Sequence, residues 1–144
     1  MKKFKWVLVV LWMVGIFAFS SQKAIVSNRK SEFVIYVFQV LGLNLNNVFG
    51  NLANFIVRKV SHFLEYFILA ILLFNAVKEN LKFKKLAVFL ITVVFLYSCS
   101  DEIHQLFVPG RTGRIRDVII DTMGGIIGFL VCYCIHKKKA NKEL

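Results

Sequence analysis

Long apolar runs alternate along the chain with short segments rich in lysine, arginine and asparagine. Four of the runs, at residues 4–21, 54–77, 86–106 and 117–135, are close to the roughly 20 residues with which a helix crosses the hydrocarbon core of a bilayer. We therefore predict an all-α integral membrane protein with four transmembrane helices. Residues 1–144 would form a single membrane domain.

A fifth, shorter apolar run lies between the first two predicted spans. It covers residues 33–43 and is too short to cross the hydrocarbon core upright. We expect this segment to lie in the membrane interface or to re-enter the membrane from the same side. An asparagine-rich loop, residues 44–54, then leads into the second span.

Composition strengthens the membrane prediction. Apolar residues make up 58% of the 144 positions, whereas a soluble domain has about 45–50%, so the excess must face lipid. The net charge of +11 does not indicate nucleic-acid binding, because most of the basic residues lie between or beside the apolar runs. In those places lysine and arginine set topology and contact anionic lipid heads. We expect membrane lipids, and no nucleic acid, as partners.

The distribution of basic residues also predicts an orientation. With the N-terminus in the cytoplasm, eleven basic residues fall on the cytoplasmic side and eight on the outer side, which agrees with the positive-inside rule. We therefore place the chain in the cell membrane as a multi-pass protein with both termini in the cytoplasm. The cytoplasmic set is Lys2, Lys3, Lys5, Lys78, Lys82, Lys84, Lys85, Lys137, Lys138, Lys139 and Lys142.

Ionisable residues inside the second span are the first candidates for a site, because each costs about 2.5–3.5 kcal/mol at mid-membrane. Residues three and four apart share a helix face. Arg58, His62 and Glu65 form one such row, and Lys59, His62 and Tyr66 form another. Two interpretations remain open. Glu65 could form an ion pair with Arg58 or Lys59 that holds helices together, or the rows could line a functional pocket.

Further polar residues lie at the end of the third span and at the start of the fourth. The third span ends with Asp101, Glu102, His104 and Gln105, which fits either a solvated helix end or a polar site. Asp117 and Asp121 stack on one face of the fourth span. Gly124 and Gly128 follow in a small-xxx-small pattern, which predicts close approach of a neighbouring helix.

The loop between these spans carries three arginines, at 111, 114 and 116. Guanidinium groups suit phosphate or carboxylate, although contact with lipid heads and control of topology would also explain them. Ser21 and Gln22 end the first span at the same membrane side. The chain thus predicts one polar cluster in which five acids, Glu65, Asp101, Glu102, Asp117 and Asp121, face five bases, Arg58, Lys59, Arg111, Arg114 and Arg116.

These motifs resemble the VanZ-like family. The matching pieces are, in chain order, Ser20-Ser21-Gln22, Arg58-Lys59-x-x-His62-Phe63-x-Glu65-Tyr66, Ser100-Asp101-Glu102-x-His104-Gln105-x-Phe107-Val108-Pro109-Gly110-Arg111, and Asp117-Val118-x-x-Asp121 with Gly124 and Gly125. The resemblance covers nearly the whole chain. It implies a small envelope membrane protein related to one that confers low-level teicoplanin resistance, and it supplies no mechanism.

Three functions remain open at this stage. The cluster could bind a lipid head, a lipid-linked cell-wall intermediate or the lipid tail of a glycopeptide. It could instead belong to a hydrolase or transferase with Glu65 or Asp101 as general base and His62 or His104 as proton shuttle. Arg111 and Arg114 would then hold a phosphate. The third is a transporter or channel in which an intramembrane Glu-His pair relays protons. We expect no metal and no cofactor, and the oligomeric state is open.

Overall fold

A computed structural model describes residues 2–141 of the chain. Within them it contains six α-helices and no strand, so the all-α prediction is confirmed. The helices are α1 (Lys2–Ser20), α2 (Ala24–Val40), α3 (Leu45–Phe49), α4 (Ala53–Val77), α5 (Phe83–Gln105) and α6 (Ile115–Ala140). A short 3-10 turn, Gly50–Leu52, joins α3 to α4. Lys142, counted above among the cytoplasmic bases, lies outside the described residues.

Four stretches of helix in the described part of the chain are long and apolar enough to cross a membrane. They are Lys3–Ser20, Leu45–Val77, Phe83–Gln105 and Ile115–Lys138, so the prediction of four spans is confirmed. Many of their large apolar side chains point outward, including Leu11, Phe95 and Ile119. A bundle that exposes apolar side chains on its outer face is adapted to lipid rather than to water.

The segment between the first two spans differs from its predicted bounds. Residues 33–40 of the apolar run form the second half of a longer helix, α2, which begins at Ala24 and ends at Val40. The polar residues of its first half are compatible with helix. Because they are not apolar, a search for apolar runs does not include them. Residues 41–43 form a turn in which Gly42 has φ 88°. Helix α2 packs on α4, with Ser31 and Ile35 buried, and its interfacial or re-entrant placement stays a prediction.

Helix α4 is the centre of the bundle, because it packs against α1, α2, α5 and α6. Its closest partner is α6. A Cβ atom added at Gly124 or Gly128 would collide with the backbone carbonyl oxygen of Phe63 or Phe67, respectively. Glycine is therefore required for α4 and α6 to approach this closely, as the small-xxx-small pattern predicts.

Two side-chain hydrogen bonds fix α1 against this core. Trp12 Nε1 donates to the backbone oxygen of Glu65 at 2.9 Å, and the Tyr97 hydroxyl donates to the backbone oxygen of Met13 at 2.6 Å. Polar groups at this depth have little access to water, so such bonds satisfy donors that would otherwise be costly to bury. They join the middle of α1 to the middle of α4 and to the second half of α5.

Candidate functional site

The predicted polar cluster forms at one end of the bundle, where α1 and α5 end and α4 and α6 begin. The loop from α5 to α6 crosses the turn between α1 and α2. Arg111 Nε donates to the backbone oxygen of Gln22 at 3.0 Å, and the Ala24 amide donates to the backbone oxygen of Pro109 at 3.4 Å. Gly110 has φ 77°, a conformation that side chains disfavour, and it lies against Ala24. The loop is therefore anchored over the end of the bundle.

An ion pair joins α4 to α6 at this end. Lys59 Nζ lies 2.5 Å from Asp117 Oδ2, and the two side chains are only 11% and 9% exposed. Lys59 thus pairs with Asp117 and not with Glu65, the partner that one of the two interpretations of the sequence suggested. A second, longer contact joins Asp117 Oδ1 to the more exposed Arg116 Nε at 4.0 Å, so Lys59 is the principal partner of this buried carboxylate.

Glu65 lies instead beside His62, as the row on α4 predicts. Glu65 Oε2 is 3.7 Å from His62 Nδ1, which is too long for a hydrogen bond. With Arg58 they line a cavity of about 190 Å³ between α2 and α4. The cavity is also lined by Arg111, so the acid, the imidazole and two guanidinium groups face one space. We call it the Glu65 cavity.

Three further carboxylates point into the interior of the bundle. Asp121 accepts a hydrogen bond from Ser98 Oγ at 3.0 Å, Asp101 accepts one from Gln105 Nε2 at 3.2 Å, and Glu102 accepts one from the Arg114 amide at 2.8 Å. Each of these carboxylates is at most 5% exposed. Among the described residues, the second oxygens of Asp121 and Glu102 are buried without a hydrogen-bond partner.

The basic residues gather separately, nearer the end of the bundle. Arg58, Lys59, Arg111 and Arg114 line a cavity of about 210 Å³ together with one acid, Asp117. We call it the cationic pocket. Burial lowers the pKa of Arg111, yet arginine stays protonated in proteins at neutral pH. The cluster is therefore divided into a positive mouth and an acidic interior.

The predicted site residues fall into two groups. Eight line one or both cavities: Gln22, Lys59, His62, Glu65, Gln105, Arg111, Arg114 and Asp117. Six lie near them without lining either: Ser21, Tyr66, Asp101, Glu102, His104 and Asp121.

Contacts explain why His104 stands apart from the cavities. Its Nε2 atom lies 3.0 Å from Ser21 Oγ, and its ring packs on Phe17 with 4.4 Å between centroids. Within residues 2–141, no three histidine, cysteine or acidic side chains come together in an arrangement that could hold a metal ion.

Several residues at the site were not among the predicted set. Ser98 is fully buried and bonds Asp121; its only signal in the sequence is that it precedes Glu102 by one turn. Thr112 accepts a hydrogen bond from Arg114 Nε at 3.1 Å and lines the cationic pocket. Lys30 and Ser31 of α2 line the Glu65 cavity, and no pattern in the sequence indicates that α2 covers α4.

Fold and site together define a polytopic α-helical membrane protein with a charge-segregated polar site at one end of its bundle. The family model described as VanZ/LLP1 matches residues 4–136. The chain belongs to the VanZ/LLP1 family, as the motifs indicate. Comparisons with curated proteins and with solved structures give no significant match.

Proposed function

We propose that the cationic pocket binds the phosphate of a membrane lipid or of a lipid-linked cell-wall intermediate. The observation that supports this most directly is the composition of the pocket, in which four basic residues face a single acid. One of its bases, Lys59, is already paired with that acid. The remaining guanidinium groups of Arg58, Arg111 and Arg114 are then available for an anion.

Phosphate suits these groups better than a generic anion does. Guanidinium forks bind phosphate and carboxylate oxygens through two parallel hydrogen bonds, which gives both strength and geometry. Arg111 is held by its Nε bond to Gln22, and Arg114 by its Nε bond to Thr112. Each therefore presents its terminal nitrogens in a prearranged direction, so less side-chain entropy is lost when the ligand binds.

Direct binding by the purified protein tests this function. Phosphatidic acid, with phosphatidylcholine as the comparison lipid, would be titrated into wild type, Arg111→Ala and Arg111→Lys. A hydrogen bond to a charged group contributes about 1.5–3 kcal/mol, so we expect Arg111→Ala to bind phosphatidic acid roughly ten- to a hundredfold more weakly. Arg111→Lys should lose less. Arg29→Ala, at an exposed position of α2 outside both cavities, is the matched control.

The proposed physiological consequence is low-level resistance to the glycopeptide teicoplanin. A protein that engages a lipid-linked cell-wall component, or the lipid tail of the antibiotic, would change how the antibiotic meets its target in the envelope. Support comes from the family and from the membrane fold. Cells that express wild type, Arg111→Ala or Arg29→Ala at equal membrane levels should differ in teicoplanin susceptibility, with only Arg111→Ala losing protection. Equal susceptibility of all three strains and the empty host would refute this role.

The Glu65 cavity favours a second candidate, a hydrolase or transferase that acts on a lipid phosphate. Glu65 is a possible general base with His62 beside it, and Arg111 lines both this cavity and the cationic pocket. A phosphate held by Arg111 would then lie close to the base. Release of phosphate or diacylglycerol from phosphatidic acid that stops in Glu65→Gln would support catalysis. If wild type binds phosphatidic acid but releases no product, catalysis is refuted and the binding function stands.

A further inference from the structure

An apolar groove lies on the outer surface of the bundle, between α4 and α6. It has a volume of about 330 Å³, and its walls include Phe55, Ile56, Val60, Phe63 and Ile120. From Phe55 to Phe63 the groove runs roughly 12 Å along α4, at about 1.5 Å per residue. Lys59, halfway along this stretch, lines the groove and also the cationic pocket. The two spaces therefore adjoin at this side chain.

The shape of the groove follows from one face of α6. Arg116, Ile120, Gly124 and Gly128 recur every four residues and lie on the same face. At Gly124 and Gly128 the helix touches the backbone of α4. Nearer the polar end of the bundle, the same face of α6 carries the larger side chains of Ile120 and Arg116, and both line the groove. The groove therefore lies on the polar side of the close contact at Gly124.

The chemistry of the two spaces matches the two halves of an amphiphile. Lys59 Nζ lies 5.4 Å from the centre of the Phe55 ring, and Arg116 Cζ lies 5.1 Å from it. Two cations, of which Lys59 also lines the cationic pocket, therefore stand over the apolar wall of the groove. An anionic head would be attracted to these cations, and an apolar chain attached to it would fit the apolar walls of the groove.

We propose that the groove binds an acyl chain of the phosphate-bearing lipid whose head occupies the cationic pocket. This inference rests on the proposed function, and it adds the ligand class: a lipid phosphate with a chain that leaves the head sideways, between α4 and α6. The ligand would enter from the membrane and not from the aqueous phase. Recognition would then depend on the chain as well as on the phosphate.

Photo-crosslinking distinguishes a specific chain site from ordinary contact with bulk lipid. The full-length protein would be placed in nanodiscs with either phosphatidic acid or phosphatidylcholine, each carrying a diazirine on one acyl chain. We expect phosphatidic acid to label residues 55–63 and Ile120 in preference to Leu11 and Leu96, which are exposed on other faces. Phosphatidylcholine should label these positions without preference. Arg111→Ala should reduce groove labelling by phosphatidic acid to the phosphatidylcholine level.

A matched pair of substitutions on α4 provides the second measurement. Val60 and Leu64 are similarly exposed, at 50% and 47%, but only Val60 lines the groove. Val60→Trp should fill the groove and weaken phosphatidic acid binding about tenfold, whereas Leu64→Trp should leave it unchanged. Both positions face outward, so neither change is expected to unfold the bundle.

The outcomes separate the two proposals. No preference of wild type for phosphatidic acid over phosphatidylcholine would overturn the proposed function and the groove with it. Binding that requires Arg111, with equal affinities for Val60→Trp and Leu64→Trp and evenly spread crosslinks, would overturn the groove alone. Loss in Val60→Trp together with Arg111-dependent crosslinks at residues 55–63 would support both.

Discussion

The contact between α4 and α6 can be tested with a substitution of one methyl group. Gly124→Ala would place a Cβ atom against the backbone carbonyl oxygen of Phe63. Because the neighbour is backbone, it cannot rotate away as a flexible side chain would, and the helices must separate. Gly15 of α1 provides the control, since a Cβ atom added there meets nothing within 4 Å.

The expected magnitude follows from two opposing effects. Overpacking a well-packed interface costs about 1–3 kcal/mol, while replacing glycine by alanine within a helix gains about 1 kcal/mol. Gly15→Ala has only the gain and should be stabilised by about 1 kcal/mol. Since the propensity gain is shared, the difference in unfolding free energy between the two variants measures the overpacking cost alone, about 1–3 kcal/mol.

Equilibrium unfolding in mixed micelles, followed by circular dichroism and by tryptophan fluorescence, would measure this difference. Phosphatidic acid binding offers an independent readout, because separating α6 from α4 also moves Ile120 and Asp117 relative to Lys59. We expect Gly124→Ala to weaken lipid binding and Gly15→Ala to leave it unchanged. If both alanine variants had the same stability and the same affinity, the close approach of α4 and α6 at Gly124 would be refuted.

Three further predictions concern the ion pair, the tether of α1 and the orientation. Lys59→Met should destabilise the fold by about 3–5 kcal/mol, because it breaks a buried ion pair and leaves Asp117 only the longer contact with Arg116 Nε at 4.0 Å. Adding Asp117→Leu should restore most of the loss, and no recovery in the double variant would contradict the pair. Trp12→Phe removes one hydrogen bond and should cost about 0.5–1.5 kcal/mol in unfolding free energy, so an unchanged value would show that the tether contributes nothing. In a cysteine-free background, Thr112→Cys should react with a membrane-impermeant maleimide in intact cells, and Lys84→Cys only after permeabilisation; the reverse result would place both termini outside.

The sequence predicts the four spans because length and apolar content alone decide whether a helix can cross a bilayer. It does less well for α2. The apolar run at 33–43 is visible, but residues 24–32 are mostly polar and give no hydropathy signal. Helix formation in that part depends on backbone propensity and on packing against α4, and a count of apolar residues measures neither. As a result, the contribution of Lys30 and Ser31 to the Glu65 cavity could not be predicted.

The same limit applies to the pairing of charges. Helical periodicity predicts that Arg58, His62 and Glu65 share a face of α4, and all three line one cavity. Periodicity does not predict which neighbouring helix faces each side chain. Lys59 meets Asp117 of α6, and Asp121 meets Ser98 of α5, because rotation of the helices about their axes is fixed by packing. The glycine contacts of α6 determine that rotation, and their partners on α4 are visible only in three dimensions.

Equal numbers of acids and bases do not make the site uniformly neutral, because the two kinds of charge lie in different places. The sequence predicts five of each in one cluster, which suggests a nearly neutral site. In the structure, Arg58, Arg111 and Arg114 line the pocket at the end of the bundle, while Asp101 and Asp121 are buried beneath it. An anionic head would be attracted to the mouth and repelled from the interior, wherever those carboxylates are charged. Such a ligand would stop at the mouth, and its apolar chain would lie at the side of the bundle, in our proposal in the groove between α4 and α6.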